Sequence, residues 1–381
     1  MSTSLTLGFI PLSDCALLAV AKERGLFEAE GLDVRLSREA SWANIRDKVA
    51  SGVLDGAHML APMAIASALG AGGAAAPMTA PLSLNVHGSS IGVSAKVAQT
   101  LAAMDAGTAG EGPATAQALK RYIDQRRTEG QPPLTFAVVF PFSIHNYMLR
   151  YWLADAGIDP DRDVRITVVP PPRIAARVAS GELDGFSVGA PWGGAVEASG
   201  AGRMVLHGAE FWRGAPDKVF GVTNAFAERR PAELKALLRA LVRASAWADD
   251  PANDGAVAQI LSEPAYLALP PAALGRALSH ANPFGLRFLS GGAGYPRPDH
   301  ALWLLSQMRR WGQVEPAPGQ EQAAQAVYRP DLYLEALGET GIAAPPLSAL
   351  PPLFDGRTFD PSRLDDDLAQ FPLRRRPAPA Q

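Results

Sequence analysis

The side chains able to do chemistry in this chain are few, and most stand beside turns that follow apolar runs. Ser13 lies in LTLGFIPLSDC and Ser143 in LTFAVVFPFSIH, each just before a stretch with helical periodicity. A serine there either caps the helix, by accepting a hydrogen bond from a free backbone N–H, or marks a helix N-terminus aimed at a bound anion. Both readings stand for this pair. His145 falls in the first turn of the second of these helices, where the helix dipole disfavours an imidazolium and leaves a neutral N–H donor. A structural histidine is the competing reading, since the matching position of the first helix is Cys15.

Lys218, in WRGAPDKVFGV, is one of six lysines and precedes an apolar run. It reads as a solvated loop lysine or as the single cation of an anion site. One cation with several N–H donors matches a small monovalent oxyanion, whereas two cations would overbind it. Trp42 and Trp192 adjoin predicted strand ends or helix starts. Each is a core residue or an indole that covers a flat ligand and donates Nε1–H. Enzyme signals are weak: HExxH, P-loop and GxSxG motifs are missing, as is GxGxxG in a strand–turn–helix context. The single cysteine, Cys15, excludes an internal disulfide and a zinc site built on cysteines. The expectation is a binding protein, not an enzyme, with no metal and no cofactor.

What positions these residues is a duplication. VASGVLDGAHMLAPM (49–63) recurs as VASGELDGFSVGAPW (178–192), with nine of fifteen positions identical and an offset of 129. LTLGFIPLS (5–13) pairs with LTFAVVFPFS (134–143), and DVRL with DVRI, so one small gap separates the copies. Each copy reads strand, helix, strand, helix, strand, which predicts parallel sheets with right-handed crossovers. A period near 130 is too long for a solenoid and means two similar doubly wound α/β lobes. Ligands of such sheets sit beyond the carboxyl ends of the strands. Facing lobes therefore make a cleft walled by PLSDC (11–15), PFSIH (141–145), LAPM and GAPW. Asp55 and Asp184 repeat in the LDG turns and read as structural turn formers.

Composition shifts place the joins. Residues 1–94 read as the first part of lobe one, with LNVHGSSIGVSA (84–95) as a strand leaving it, and 95–215 as lobe two. Residues 216–343 return to lobe one and continue as helices; 344–381 form a proline-rich arm and loose tail. AGTAGEGPATA (106–116) reads as a surface loop. The two crossings resemble a hinge. With 381 residues, 48% hydrophobic and 19% charged, the chain can bury a substantial core. A net charge of −3 gives no general reason to bind nucleic acid directly. MSTS runs straight into an apolar strand rather than a secretory leader, and no apolar run is long enough to span a membrane. The expected location is cytoplasmic, or periplasmic if the native start carries a leader.

FPFSIHNYMLRYWLADAGIDPDRDV, VPPPRIAARVASGELDGFSVGAPW, WRGAPDKVFGV, YPRPDHALWLLSQMRRWG and YRPDLYLEALGETGI together resemble the nitrate- and bicarbonate-binding proteins of ABC transporters, the NrtA/CmpA family. The resemblance runs over about residues 5–365 and implies the periplasmic-binding-protein type II fold. FPFSIHNY looks most like the NasS-type cytosolic nitrate/nitrite sensors. That resemblance implies an ANTAR-domain antiterminator partner of the NasT type, released when nitrate or nitrite binds. The alternative is the substrate-binding component of an ABC transporter, partnered by its permease; a third is a sulfonate- or pyrimidine-related protein or enzyme on the same fold. By motif, the family's ligand-contacting tryptophan, histidine, glycine and lysine resemble Trp42, His145, Gly189 and Lys218. Ser143 and Trp192 are weaker candidates. So is Ser89, which stands where the family has glutamine or asparagine, and Ala190 replaces the glutamate of VGEPW. Retention of Lys218 favours a simple anion over a calcium-assisted bicarbonate site.

Overall fold

The computed structural model describes residues 3–73, 76–104, 116–344 and 346–375. Ten strands form among them: β1 (Thr3–Phe9), β2 (Leu32–Arg38), β3 (Gly56–Leu60), β4 (Met78–Val86), β5 (Ser89–Ser94), β6 (Thr135–Val138), β7 (Arg165–Val168), β8 (Gly185–Gly189), β9 (Gly202–His207) and β10 (Pro216–Thr223). They make two five-stranded sheets, ordered β2-β1-β3-β10-β4 and β7-β6-β8-β5-β9. β1 pairs in parallel with β2 and β3, as β6 does with β7 and β8. The sheets are mixed rather than wholly parallel, because each receives one antiparallel strand. β10 runs antiparallel between β3 and β4, and β5 does so between β8 and β9. These two strands lie just after the two crossings between sheets.

The joins correct the expected boundary. β5, placed in lobe one by the 1–94 reading, is hydrogen-bonded only within the second sheet. The chain changes sheets at His87 and Gly88, whose φ values are +68° and +83°. A side chain at Gly88 would meet Leu286 at 2.7 Å and the Asp217 carboxylate at 3.1 Å. The return runs through 208–215. His87 ties the two crossings together: its Nε2 accepts from Gly214 N–H at 3.0 Å and its Nδ1 lies 3.3 Å from Gly285 O. The first helix of copy one, in ALLAVAKERGLFEAEG, forms as two pieces, Ala16–Glu23 and Leu26–Ala29, separated at Gly25, which adopts φ +67°.

Local chemistry explains the repeat. In helix Trp42–Ala50, Trp42, Ile45 and Val49 are buried on one stripe, and Ser41 caps the start by accepting from Asn44 N–H. The LDG aspartates make the same strand latch in both copies, and Asp55 also pairs with Arg230 at 3.3 Å. Asp55 accepts from Thr6 N–H and Asp184 from Thr135 N–H, both at 2.8 Å, latching the third strand of each copy to its first. Helix Pro231–Ala248 packs on helix Ala16–Glu23 of the first lobe. The C-terminal arm wraps the second lobe. Trp212 Nε1 donates to Pro351 O, Tyr151 OH donates to Asp355, and the buried Arg310 guanidinium lies 3.7 Å from the Phe371 ring centre. Residues 105–115 of the Ala/Gly-rich loop and the tail beyond 375 lie outside the described residues.

Candidate ligand-binding site

The turn after β1 meets the turn after β8. Ser13 N–H donates to Ala190 O at 2.8 Å, and Trp192 Nε1 donates to Pro11 O at 2.9 Å. Two hydrogen bonds thus run from lobe to lobe along the expected walls. Behind them lies a buried polar cluster. The first lobe supplies Asp14 from that turn, Trp42, His58 from β3, Asn85 from β4, and Asp217 with Lys218 from β10. The second supplies Ser89 from β5, His145, and Ser187 with Gly189 from β8. All the polar side chains named are less than 5% exposed.

Lys218 is its centre. Nζ lies 2.8 Å from Asp14 Oδ2, 2.5 Å from Asp217 Oδ1, and 5.8 Å from the centre of the Trp42 ring. His58 Nε2 is 2.8 Å from Asp14 Oδ1, and its Nδ1 accepts from Ile10 N–H at 3.4 Å. Burial lowers His58, so it stands beside Asp14 as a neutral imidazole. The two carboxylates share one ammonium unequally. Burial alone would raise Asp14, but the Lys218 charge and then His58 overcome it and hold Asp14 well below the usual carboxylate range. Asp217 is pushed up to about 6 by burial, with the neighbouring Asp14 charge opposing what Lys218 gives back. Lys218 itself is raised: burial would lower it, and the two carboxylates outweigh that. His145 is held well below the ordinary histidine value, first by burial and then by Lys218, so it is neutral.

The four residues carried by the family resemblance, Trp42, His145, Gly189 and Lys218, come together here. A Cβ at Gly189 would sit 3.4 Å from His145 Nε2 and 3.8 Å from Asp14 Oδ2, so the glycine keeps the backbone close to both. Ser89 Oγ lies 3.2 Å from His145 Nε2. The short side chain holds the imidazole, which leaves Nδ1 as the ring nitrogen without a partner among the described residues. Trp42 Nε1, Ser13 Oγ and Ser187 Oγ are also buried without a hydrogen-bond partner among those residues.

The weaker candidates separate. Ser143 Oγ accepts from Asn146 N–H and donates to Phe140 O, so capping occupies it. The indole N–H of Trp192 is spent on Pro11, across the cleft rather than in it. Ser13 is not a cap: Leu12 takes that position ahead of the short 3-10 turn Ser13–Cys15, and no side-chain cap bond forms. Sequence reasoning passed over Asp14, His58 and Asp217. The first two lay inside segments read as cleft walls or core strand, and the third beside Lys218. A signal existed in β3 and β8, whose matching positions differ as His58 and Ser187 while the flanking LDG and AP repeat.

Two α/β lobes closed on a buried polar cluster define a substrate-binding protein of the periplasmic-binding-protein fold. The chain belongs to the NMT1-like family, whose model matches residues 1–262. It is 32% identical to the nitrate/nitrite binding protein NrtA of Synechococcus elongatus over 382 aligned residues, 94% of this chain and 83% of that protein. It is also 32% identical over 398 residues to the nitrate import ATP-binding protein NrtC of Synechocystis sp., 98% of this chain but 56% of that one. The chain thus spans little more than half the length of such ATP-binding relatives. The crystal structure of the periplasmic nitrate-binding protein NrtA from Synechocystis PCC 6803 matches with a TM-score of 0.87 at 28% identity, covering 97% of this chain and 98% of that one. No helix among the described residues is long and apolar enough to cross a membrane.

Proposed function

We propose that this protein binds nitrate or nitrite between its lobes, with Lys218 as the cation and Trp42 Nε1, His145 Nδ1 and the backbone at Gly189 as surrounding contacts. The observation that carries this is the convergence of those residues, from four separate segments and both copies, on one buried cluster in which Trp42 Nε1 and His145 Nδ1 have no hydrogen-bond partner among the described residues. Buried donors without partners cost free energy, about 1–3 kcal/mol each, which an oxyanion accepting from them returns. Relatives named for nitrate support the ligand class. Titration calorimetry with nitrate, nitrite, bicarbonate and taurine tests it. Micromolar or tighter binding of nitrate or nitrite, with negligible binding of taurine and aromatic sulfonates, is the expected result. Binding of a sulfonate in preference to both would overturn it.

Two roles follow from such a site. Relatives named for import support delivery of the anion to an ABC permease. The FPFSIHNY segment supports the other: a cytoplasmic sensor that holds a NasT-type ANTAR antiterminator and releases it when the lobes close on nitrate. Size-exclusion chromatography of the chain mixed with that antiterminator decides between them. A complex that dissolves on adding nitrate supports the sensor; no complex with or without nitrate supports the transporter component.

A further inference from the structure

The cluster is built with more negative than positive charge, which is the reverse of what an anion site needs. Asp14 and Asp217 face a single ammonium, Lys218, and all three are 2% exposed or less. His58, packed against Asp14 from β3, is neutral, with Nε2 2.8 Å from Asp14 Oδ1 and Nδ1 accepting from Ile10 N–H. His145, from the second lobe, is neutral. Asn85 of β4 reaches Asp217 Oδ2 at 3.4 Å and Ser89 of β5 reaches His145; both are uncharged. An oxyanion entering beside Lys218 would be a third negative charge around one positive, in a place where water cannot screen it. The cluster therefore needs a counter-charge from outside.

We propose that the cleft takes its anion together with one proton, and that Asp217 is the residue that receives it. The proton comes from solvent and goes to a carboxylate oxygen of Asp217, so Asp14, Lys218 and the anion remain as the charged set. Asp217 is the acceptor because Asp14 has two partners, Lys218 and His58, whereas Asp217 shares only Lys218 and a long contact to Asn85. Burial has already raised Asp217, and an added anion raises it further. The same count sets specificity. A divalent oxyanion such as sulfate would need a second proton, so the site selects single charge rather than shape alone. This inference rests on the anion-binding reading above.

Calorimetry of the full chain with nitrate, in two buffers of different ionisation enthalpy at pH 7.5, counts the protons. Uptake of about one proton per nitrate is expected, with Kd rising about tenfold for each pH unit between 7 and 9. Asp217→Asn should bind nitrate with a Kd constant to within about twofold over that range, and about tenfold or more tighter than wild type at pH 8. Nitrate binding without proton uptake overturns the inference and leaves the anion reading standing. Undiminished uptake in Asp217→Asn overturns the assignment to that residue. If wild type binds neither nitrate nor nitrite at pH 6 or pH 8, the anion reading itself falls.

Discussion

The two lobes share a blueprint and divide the labour at the cleft. β3 of the first carries His58 and Leu60 where β8 of the second carries Ser187 and Gly189; the turn after β1 ends on Cys15 where the helix after β6 carries His145. The charges Asp14, Asp217 and Lys218 all come from the first lobe, while the second contributes a neutral imidazole, hydroxyls and a bare backbone. Away from the cleft the copies agree down to the hydrogen bond, as with Asp55 and Asp184. Duplication thus keeps the latches that hold each lobe together, and at the cleft the matching positions Cys15 and His145, His58 and Ser187, Leu60 and Gly189 differ. A charged half and a donor half need only meet to complete a site, so closure and recognition become one event.

The sharpest way to break this contrast is to remove its charge centre. Lys218→Ala leaves two buried carboxylates with no ammonium, so unfolding by urea should show a loss of about 3–5 kcal/mol. Nitrate affinity should fall at least tenfold, at least about 1.4 kcal/mol. His145→Ala, in the donor half, should cost a comparable factor in affinity with far less stability, because a neutral group is removed; calorimetry paired with urea melts separates the two.

Acid should act on the buried histidines and on Asp217 in opposite senses. His145 well below the usual value, His87 at about 4 and His300 at about 3 are all lowered chiefly by burial. The unfolded chain therefore takes up their protons first as pH falls below about 6.5, and each costs up to about 1.4 kcal/mol per pH unit. Asp217, raised to about 6, is protonated first in the folded state and opposes this between pH 6 and 4. His58 and His207 are lowered too, and these histidines outnumber the raised aspartates Asp217, Asp155 and Asp367, so stability should drop by about 2–4 kcal/mol between pH 6.5 and 5. Asp217→Asn should steepen that drop, as followed by urea melts at each pH.

The symmetric parts offer smaller effects. Asp55→Ala and Asp184→Ala each strip a partner from a strand N–H and should cost similar amounts, about 1–3 kcal/mol. Unequal losses beyond that range would mean the latches are not equivalent. Smallest of all, Ser143→Ala should cost about 0.5–2 kcal/mol through its cap, with nitrate affinity unmoved, whereas Ser13→Ala removes no cap.

The duplication was readable because turn formers and small residues repeat as letters, and strand and helix periods follow from them. His145, Lys218 and Trp42 stood out by position as one of two readings each, and the family resemblance chose between those readings; Gly189 was reached through resemblance alone. The charged cluster was not readable. Asp14 in PLSDC looks like any turn aspartate, and Asp217 beside Lys218 looks like a solvated pair. Only the packing of both lobes removes their water. For Ser13 the capping reading fails, because the 3-10 turn is capped at Leu12 and the serine falls inside it. The join was misplaced because VHGSSIGVS continues an apolar strand pattern across His87 and Gly88, and only the backbone reversal there reveals two strands.

His87 has a mechanical consequence. By accepting from Gly214 N–H while its other nitrogen reaches Gly285 O, it pins one connecting strand to the other. Parallel tethers that are free of each other allow their loads to slide; tethers riveted at one post allow only swinging. Any swing of one lobe on the other is therefore expected to turn about this joint, with release of a bound anion following one rate rather than two.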